Sequence, residues 1–318
     1  MIRPPLGRRD FLKRTGGLAL FSLSPVGKRS SGFENRIVLP NPVGYATIGW
    51  PESQFSHALE IISKLGFQGV QLLGWTRDAH SGEKAKELRA RLEELRLRPV
   101  ALSCSSLELG LEYSNPAEQS ELRAYACFFQ QLGGAYLQIT DGGRPEGDYS
   151  PPVIRNLGAR MNSLGRVARD FGTTLGYHPH FGTYGETREG LGRILDATDP
   201  HDVKLIADVA HLTLGGSDPA EVIRTYHERL IVVHFKDVRK EVLALARRDR
   251  PQAHKSRHHF CEIGLGAVNF PPILEAFRDI DYRGWIVIEL DNGDDGPWGP
   301  GAAARKNQEA ARQLGLKV

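Results

Sequence analysis

The sequence is poor in cysteine, with only 3 cysteines in a chain of 318 residues. Cys104, Cys127 and Cys261 are too few and too widely spaced for a disulfide scaffold or for a metal site built of thiolates. The chain also lacks an apolar run near the roughly 20 residues that a membrane-spanning helix needs. These absences predict a soluble globular protein, and the length predicts one large domain or two ordinary ones.

The sequence also lacks a strong excess of one charge, since 41 basic and 38 acidic residues give a net charge of +3. Seven of the basic residues and one of the acids lie in residues 1–30, which leaves 34 basic and 37 acidic residues in the remainder. The stretch Arg247–His259 is basic, but no aromatic side chains interleave it as a stacking platform for bases. We therefore expect no nucleic-acid partner, and we interpret this stretch as a solvated loop or a flexible lid.

Residues 1–30 have the pattern of an export signal. The sequence R-R-D-F-L-K at 8–13 precedes a short, mildly apolar run at Thr15–Leu23. The order resembles the twin-arginine signal, which is read by a receptor and whose cargo commonly crosses the membrane folded. This interpretation predicts the twin-arginine export machinery as a partner, a periplasmic or extracellular location, and a leader that is disordered or cleaved. A basic disordered tail is the alternative.

After the leader, short apolar runs alternate with amphipathic stretches, and we expect one domain over residues 37–318. The predicted strands are Val43–Gly49, Gly69–Leu73, Pro99–Ser103, Ala135–Thr140, Thr174–His178, Val203–Asp208, Leu230–Phe235 and Trp285–Leu290. The predicted helices include Phe55–Leu65, Glu83–Leu95, Glu118–Leu132, Val153–Asp170, Arg188–Asp196 and Asp218–Glu228. Eight such units predict the α/β class and a (β/α)₈ TIM barrel. A doubly wound open sheet is the alternative, but no glycine-rich dinucleotide motif follows the first strand.

Polar residues collect where four successive predicted strands end, which is where the active site of a (β/α)₈ barrel lies. The four segments are Tyr177–His180, Asp208–His211, His234–Asp237 and Glu289–Asp291. Imidazole and carboxylate ligands together suit Mn²⁺, Co²⁺, Fe²⁺ or Zn²⁺.

Each of these residues also has an ordinary structural explanation. A single histidine can be a core residue, Asp208 can cap a helix, and Lys236 with Asp237 can form a weak surface pair. Glu289 is harder to explain in this way, because a carboxylate at the end of an apolar strand is costly to bury unpaired.

The chain resembles the xylose isomerase-like barrel superfamily, in its sugar phosphate isomerase/epimerase group. The motifs are D-x-x-H at Asp208–His211, V-H-x-K-D at Val233–Asp237 and G-W-I-V-I-E at Gly284–Glu289. The strings Y-H-P-H-F-G-T at 177–183 and H-F-K-D-V-R at 234–239 look most like the inosose dehydratase branch.

The resemblance implies metal ligands at His178, Asp208, His234 and Glu289, and substrate contacts at His180, His211, Lys236 and Arg239. The ketose epimerases have a glutamate where this chain has His178, which disfavours an epimerisation shared between two carboxylates. Glu186 is a candidate for the second carboxylate if its loop folds back. Trp50 and Trp75 follow the first two strands and are predicted either to stack on a sugar or to pack at the rim.

The resemblance implies a divalent metal, with Mn²⁺ as first choice and Co²⁺, Mg²⁺, Fe²⁺ or Zn²⁺ as alternatives, and the group often forms oligomers. Glu289 or His180 is the predicted base that removes a proton beside the carbonyl of a keto-sugar or cyclitol. Lys236 and His211 are expected to stabilise negative oxygen or to protonate a leaving hydroxyl.

The main functional prediction is therefore an isomerase or epimerase. The alternatives are a dehydratase of the inosose dehydratase type, a sugar-binding barrel without catalysis and, least favoured, a nuclease of the endonuclease IV kind.

Overall fold

Eight parallel strands close into a barrel in the computed structural model, which describes residues 39–107, 116–142, 150–256, 258–291 and 299–318. The strands, numbered with a small hairpin in chain order, are β1 Val43–Ala46, β2 Gly69–Leu73, β3 Arg98–Leu107, β4 Tyr136–Asp141, β5 Thr174–Tyr177, β6 Val203–Asp208, β7 Leu230–Phe235, β8 Asp237–Val238, β9 Phe260–Cys261 and β10 Trp285–Ile288. The order around the barrel is β1-β10-β7-β6-β5-β4-β3-β2, and β1 pairs with both β2 and β10. The predicted (β/α)₈ fold is confirmed, and closure excludes the open sheet.

Helices follow the barrel strands and cover the outside of the barrel. They are α1 Phe55–Lys64, α2 Trp75–Ala79, α3 Glu83–Glu94, α4 Pro116–Gln131, α5 Pro151–Asp170, α6 Arg188–Asp196, α7 Val209–Leu214, α8 Pro219–Thr225, α9 Lys240–Arg248, α10 Arg250–His254, α11 Phe270–Asp279 and α12 Pro300–Gln313, with single 3₁₀ turns at Thr47–Gly49, Glu52–Gln54, Tyr184–Glu186 and His227–Arg229. In α1 the side chains of Phe55, Ala58, Leu59 and Ile62 form one buried face, as the helical repeat requires. Among the described residues, no helix combines the length and apolar character that a membrane span requires.

The first and last barrel strands are shorter than predicted. Residues Thr47–Gly49 turn into a 3₁₀ helix instead of continuing β1. After β10 ends at Ile288, the backbone N–H of Glu289 still donates to the carbonyl of Phe235 at 3.1 Å. Glu289 is therefore held at the mouth of the barrel beside the end of β7.

Residues 247–248 and 250–254 of the basic stretch Arg247–His259 are helical and not the solvated loop that was predicted, whereas the flexible lid stays a prediction. The structure forms α9 and α10 between the two strands of the β8–β9 hairpin, and we name Lys240–His259 the hairpin insertion. Asp249 caps α10 by accepting from the N–H of Gln252, and Pro251 occupies the first turn. Apolar side chains of α9, such as Val242 and Leu243, are buried beneath the basic residues. A hydrophobic face this short is difficult to recognise in the sequence, because most of the neighbouring residues are charged.

Candidate functional site

Four predicted site residues meet in one buried cluster at the carboxyl ends of neighbouring strands. They are His178 after β5, Asp208 at the end of β6, His234 in β7 and Glu289 after β10. One ligand atom from each lies within 4.8 Å of those of the other three, and all four side chains are buried. The grouping follows from topology, because β5, β6, β7 and β10 are successive neighbours whose carboxyl ends face the same way. We call this set the four-residue cluster.

His178 is oriented by its own backbone neighbourhood. Its Nδ1 lies 3.2 Å from the carbonyl oxygen of Ile206, which can only accept, so Nδ1 carries the proton. The Nε2 atom is then an unprotonated acceptor, and it has no hydrogen-bond partner within the described part of the chain. Burial lowers the pKa of His178 well below its usual value, which keeps the ring neutral.

Asp208 serves two purposes with its two oxygens. Its Oδ1 accepts from the N–H groups of Ala210 at 2.7 Å and His211 at 3.0 Å and so caps α7. Its Oδ2 accepts no hydrogen bond from the described residues, and it lies 3.8 Å from His234 Nδ1. The helix-cap explanation is thus correct for one oxygen, and it leaves the other available to a ligand.

Lys236 compensates the negative charge around the cluster. Its side chain is 1% exposed, and its Nζ lies 2.5 Å from Glu289, 2.8 Å from Asp291 and 3.4 Å from Asp208. It also sits over the ring of Phe260, 4.4 Å from the centroid. Burial by itself would lower the pKa of Lys236, but the three carboxylates outweigh burial and raise it. The ammonium is therefore charged at neutral pH.

The surface pair considered for Lys236 and Asp237 does not exist. Both side chains are buried, and Asp237 accepts hydrogen bonds from the backbone N–H groups of Val238, Gly264, Gly266 and Val268. Asp237 thus holds the glycine-rich loop after β9, while Lys236 faces the cluster.

The atoms of the cluster fit a divalent metal. His178 Nε2, Asp208 Oδ2 and His234 Nδ1 are buried polar atoms that lack a hydrogen-bond partner among the described residues, a costly arrangement for a protein interior. The three carboxylates around the single ammonium of Lys236 leave a net charge of −2. One divalent cation would satisfy the free atoms and balance this charge. Nitrogen and oxygen donors in equal number suit Mn²⁺, Co²⁺, Fe²⁺ and Zn²⁺.

His180 and His211 lie beside the cluster as a stacked pair, with ring centroids 4.2 Å apart and planes inclined by 11°. The N–H of Phe181 donates to His211 Nδ1 at 3.0 Å, so neutral His211 carries its proton on Nε2. His211 therefore presents a hydrogen-bond donor and not a metal ligand. Burial, with Lys236 adding to it, lowers the pKa of His180 to about 4, so His180 is an unprotonated base at neutral pH.

Glu186 anchors the hairpin insertion to the loop that follows β5. Its Oε1 accepts from Arg250 at 2.9 Å, and its Oε2 accepts from the N–H of Gly182 at 2.9 Å and lies 3.1 Å from His254 Nε2. Gly182 has a φ of 93°, which lets the loop turn back onto the carboxylate. The side chain of Glu186 is buried, and both of its oxygens are occupied. To contact substrate as predicted, Glu186 would have to give up hydrogen bonds that anchor the hairpin insertion.

Replacing Glu186 with glutamine is expected to destabilise the protein by about 2 kcal/mol at pH 7, because an amide cannot accept from all three donors. Burial raises the pKa of Glu186, but Gly182, Arg250 and His254 outweigh it, and the net pKa lies below the ordinary 4.5. The ionised carboxylate thus stabilises fully above pH 4.5 and loses this effect as the pH falls through the lower folded value. Urea unfolding at several pH values should show that the difference in free energy of unfolding between the wild type and Glu186→Gln becomes smaller at acidic pH.

The matched control is Glu189→Gln, since Glu189 is 75% exposed and, among the described residues, its ion pair is with Arg193 on the same helix. It should change stability little at any pH. Equal effects of the two substitutions would contradict the anchoring role of Glu186.

The remaining predicted contacts lie at the edge of the site. Trp50 is 5% exposed and packs edge-to-face on Tyr45 at 5.5 Å, which favours rim packing over stacking on a sugar. Trp75 begins α2 and packs on Phe55 at 5.2 Å, half-buried. Arg239 precedes α9, and its guanidinium lies 4.0 Å from Glu241. None of these three observations ties the side chain to the cluster.

Two residues near the cluster, Gln71 and Phe260, were not predicted from sequence, and Asp291 was placed at a polar strand end without a role. Asp291 binds Lys236, and Phe260 lies under Lys236 and beside His211 at 4.9 Å. Gln71 contacts both His234 and Glu289. The available signal for Gln71 was a single polar residue in the apolar strand G-V-Q-L-L.

Comparisons with known proteins agree with the barrel fold. An inosose dehydratase from Geobacillus kaustophilus is 27% identical over 284 residues, which cover 80% of this chain and 89% of that protein. The structure of the IOLI protein with a bound zinc atom superposes with a TM-score of 0.71 at 14% identity, over 86% of this chain and 98% of that one. The structure of a probable 3-DHS dehydratase from Bacillus anthracis superposes with a TM-score of 0.69 at 16% identity, over 85% and 98%. At these identities, the two structures establish the fold alone. The model of the xylose isomerase-like TIM barrel family matches residues 59–314, and the chain belongs to that family.

Proposed function

We propose that this protein is a divalent-metal-dependent dehydratase that removes water from a keto-cyclitol or a related keto-sugar. The observation that carries the proposal is the four-residue cluster, in which three buried polar atoms have no hydrogen-bond partner among the described residues. Relatives named inosose dehydratase, 24–28% identical over most of their length, favour dehydration over the isomerase or epimerase that was the main prediction from sequence.

The metal would be held by His178, Asp208, His234 and Glu289. When bound, it would polarise the carbonyl of the substrate and acidify the neighbouring C–H. Its identity is part of the proposal: Mn²⁺ stays the first choice, Co²⁺, Fe²⁺ and Zn²⁺ suit the same donors, and Mg²⁺ suits two imidazoles least.

Proton abstraction is assigned to His180 or Glu289. His180 is neutral at pH 7 because its pKa lies near 4, and its ring stands 4.5 Å from that of His178 between centroids. Glu289 is ionised: burial would raise its pKa, but Lys236 and the imidazoles lower it to about 2. Either group would take the proton from the carbon beside the carbonyl. The electron pair of the broken C–H bond would form the new carbon–carbon double bond as the β-hydroxyl departs.

His211 and Lys236 are assigned to the oxygen atoms of the substrate. His211 offers its Nε2–H, because its Nδ1 already accepts from Phe181. Lys236 supplies a fixed positive charge, and its raised pKa makes it a poor proton donor. The proton needed by the departing hydroxyl is then the one removed from carbon, so that water leaves and no co-reactant is consumed.

The direct test incubates metal-loaded protein in D₂O with inososes, keto-sugars and 3-keto-glycosides, followed by NMR. We expect loss of a hydroxyl and an unsaturated product or its deoxy diketone tautomer, with deuterium in the tautomer at the carbon that lost the hydroxyl. A deuterated epimer that keeps all hydroxyls would favour the isomerase or epimerase instead. Binding without product or exchange would support the non-catalytic sugar-binding barrel and contradict the proposal. Asp208→Asn protein is the control for adventitious metal.

Export by the twin-arginine machinery remains part of the proposal, since the leader at residues 1–30 lies outside the described residues. A periplasmic or extracellular location would give the enzyme free cyclitols or oxidised glycosides rather than phosphorylated sugars. The homo-oligomer implied by family resemblance also remains a prediction.

A further inference from the structure

Gln71 reaches the four-residue cluster from a strand that supplies none of its members. It lies in the middle of β2, its side chain is 1% exposed, and β1 stands between β2 and β10 in the barrel. Its Oε1 lies 2.8 Å from His234 Nε2, and its Nε2 lies 3.3 Å from Glu289 Oε2. A single amide thus touches two proposed metal ligands.

The orientation of this amide is fixed by what its neighbours can donate. Glu289 is held ionised by Lys236 at 2.5 Å, so its oxygens can only accept. The NH₂ group of Gln71 must therefore face Glu289, and the carbonyl oxygen must face His234. A flipped amide would set an oxygen against the carboxylate and is excluded on the same grounds.

The protonation of His234 follows from the orientation of the amide. The carbonyl oxygen of Gln71 needs a donor, so the proton of neutral His234 lies on Nε2 and its Nδ1 keeps a free electron pair. That Nδ1 lies 3.5 Å from Glu289 Oε2, the oxygen to which Gln71 donates. Gln71 therefore influences both His234 Nδ1 and Glu289 Oε2, the two proposed metal-binding atoms that face each other in the cluster.

We propose that Gln71 is a positioning residue that fixes the Nε2–H tautomer of His234 and holds Glu289 Oε2, so that both present free electron pairs to one metal ion. The metal part rests on the proposed function, whereas the tautomer is a property of the chain itself. In metal sites, the hydrogen-bond partner of a histidine's second ring nitrogen commonly orients the ring and raises the affinity of the site for the metal.

Two further side chains brace the amide. Gln71 Nε2 lies 3.0 Å from Ser103 Oγ on β3 and 3.1 Å from Gln138 Oε1 on β4. Because an NH₂ group has two hydrogens, these acceptors share them with Glu289. The brace comes from β3 and β4, two barrel strands that supply none of the four ligands.

The test is Gln71→Met, which keeps the length of the side chain and removes both polar atoms. Long-range ¹H–¹⁵N NMR of the histidine rings in metal-free protein should show His234 as the Nε2–H tautomer in the wild type and as a mixture in the variant. Calorimetry with Mn²⁺ and Zn²⁺ should show affinity weakened by about 10–100-fold.

Ser103→Ala is the matched control, since it removes one contact of the same amide without touching His234 or Glu289. It should leave the tautomer unchanged. Should Gln71→Met fail to fold, Gln71→Glu keeps an oxygen opposite His234 Nε2 and should retain the tautomer while losing the donor to Glu289.

An unchanged His234 spectrum in Gln71→Met would overturn the positioning role, whatever the metal does. A wild-type protein that shows the expected tautomer but binds no divalent metal would contradict the proposed function and would still support the tautomer assignment.

Discussion

Replacing Glu289 with glutamine is expected to lower turnover on the order of 10³-fold, within the range for loss of a general base. The shape of the side chain is preserved, but the negative charge that faces Lys236 at 2.5 Å and His234 at 3.5 Å is lost. An amide is also a weaker ligand for a divalent cation. Metal binding should therefore weaken by more than the roughly 10–100-fold typical of losing a ligand's hydrogen-bond partner.

Metal content of the dialysed protein, calorimetric titration and turnover should be measured on the same preparations. Glu262→Gln is the matched control, because Glu262 is a buried carboxylate on the loop after β9 and outside the cluster. It should keep both metal and activity. If Glu289→Gln retained both, the cluster would not be the active site.

Replacing Lys236 with methionine is expected to destabilise the metal-free protein by about 3–5 kcal/mol, the usual effect of removing one partner from a buried charge network. Asp208, Glu289 and Asp291 would then face one another without a cation. Metal should recover part of the loss, about 2.7 kcal/mol at a free concentration of 100 times its Kd. Urea unfolding with added Mn²⁺ or with a chelator measures both quantities.

Lys64→Met is the control for this prediction. Lys64 is 76% exposed and pairs with Glu60 at 3.6 Å on one helix, an interaction of little energetic value. An equally small effect of Lys236→Met would mean that the three carboxylates do not carry the charge assigned to them.

The position of the four-residue cluster could be predicted because strand ends can be predicted from local sequence, whereas the choice of these four ligands among the polar residues there came from the family resemblance. His178, Asp208, His234 and Glu289 each follow an apolar run, and parallel strands in a barrel bring their carboxyl ends together. No long-range information is needed beyond the fold class. The fold itself was accessible for the same reason, because apolar runs and helical repeats are local patterns.

The partners of these residues could not be predicted, because they arrive from distant parts of the chain. Gln71 is 163 positions from His234, and Glu186 is 68 positions from His254. Nothing in the local pattern around Gln71 states which side of the barrel its amide will reach. The role of Lys236 was ambiguous for a related reason. The same local sequence is compatible with a surface ion pair and with a buried lysine that neutralises carboxylates.

The site is complete only after the last barrel strand has been made and paired, so its formation depends on when that strand is synthesised. The final barrel strand pairs with the first through Val43 and Ile286, and Glu289, which follows this strand, lies within reach of Gln71. A chain still being synthesised can hold Gln71, His178, Asp208 and His234 but lacks the fourth ligand. The complete ligand set is therefore a mark of finished folding, which is the state in which cargo of the predicted twin-arginine route commonly crosses a membrane.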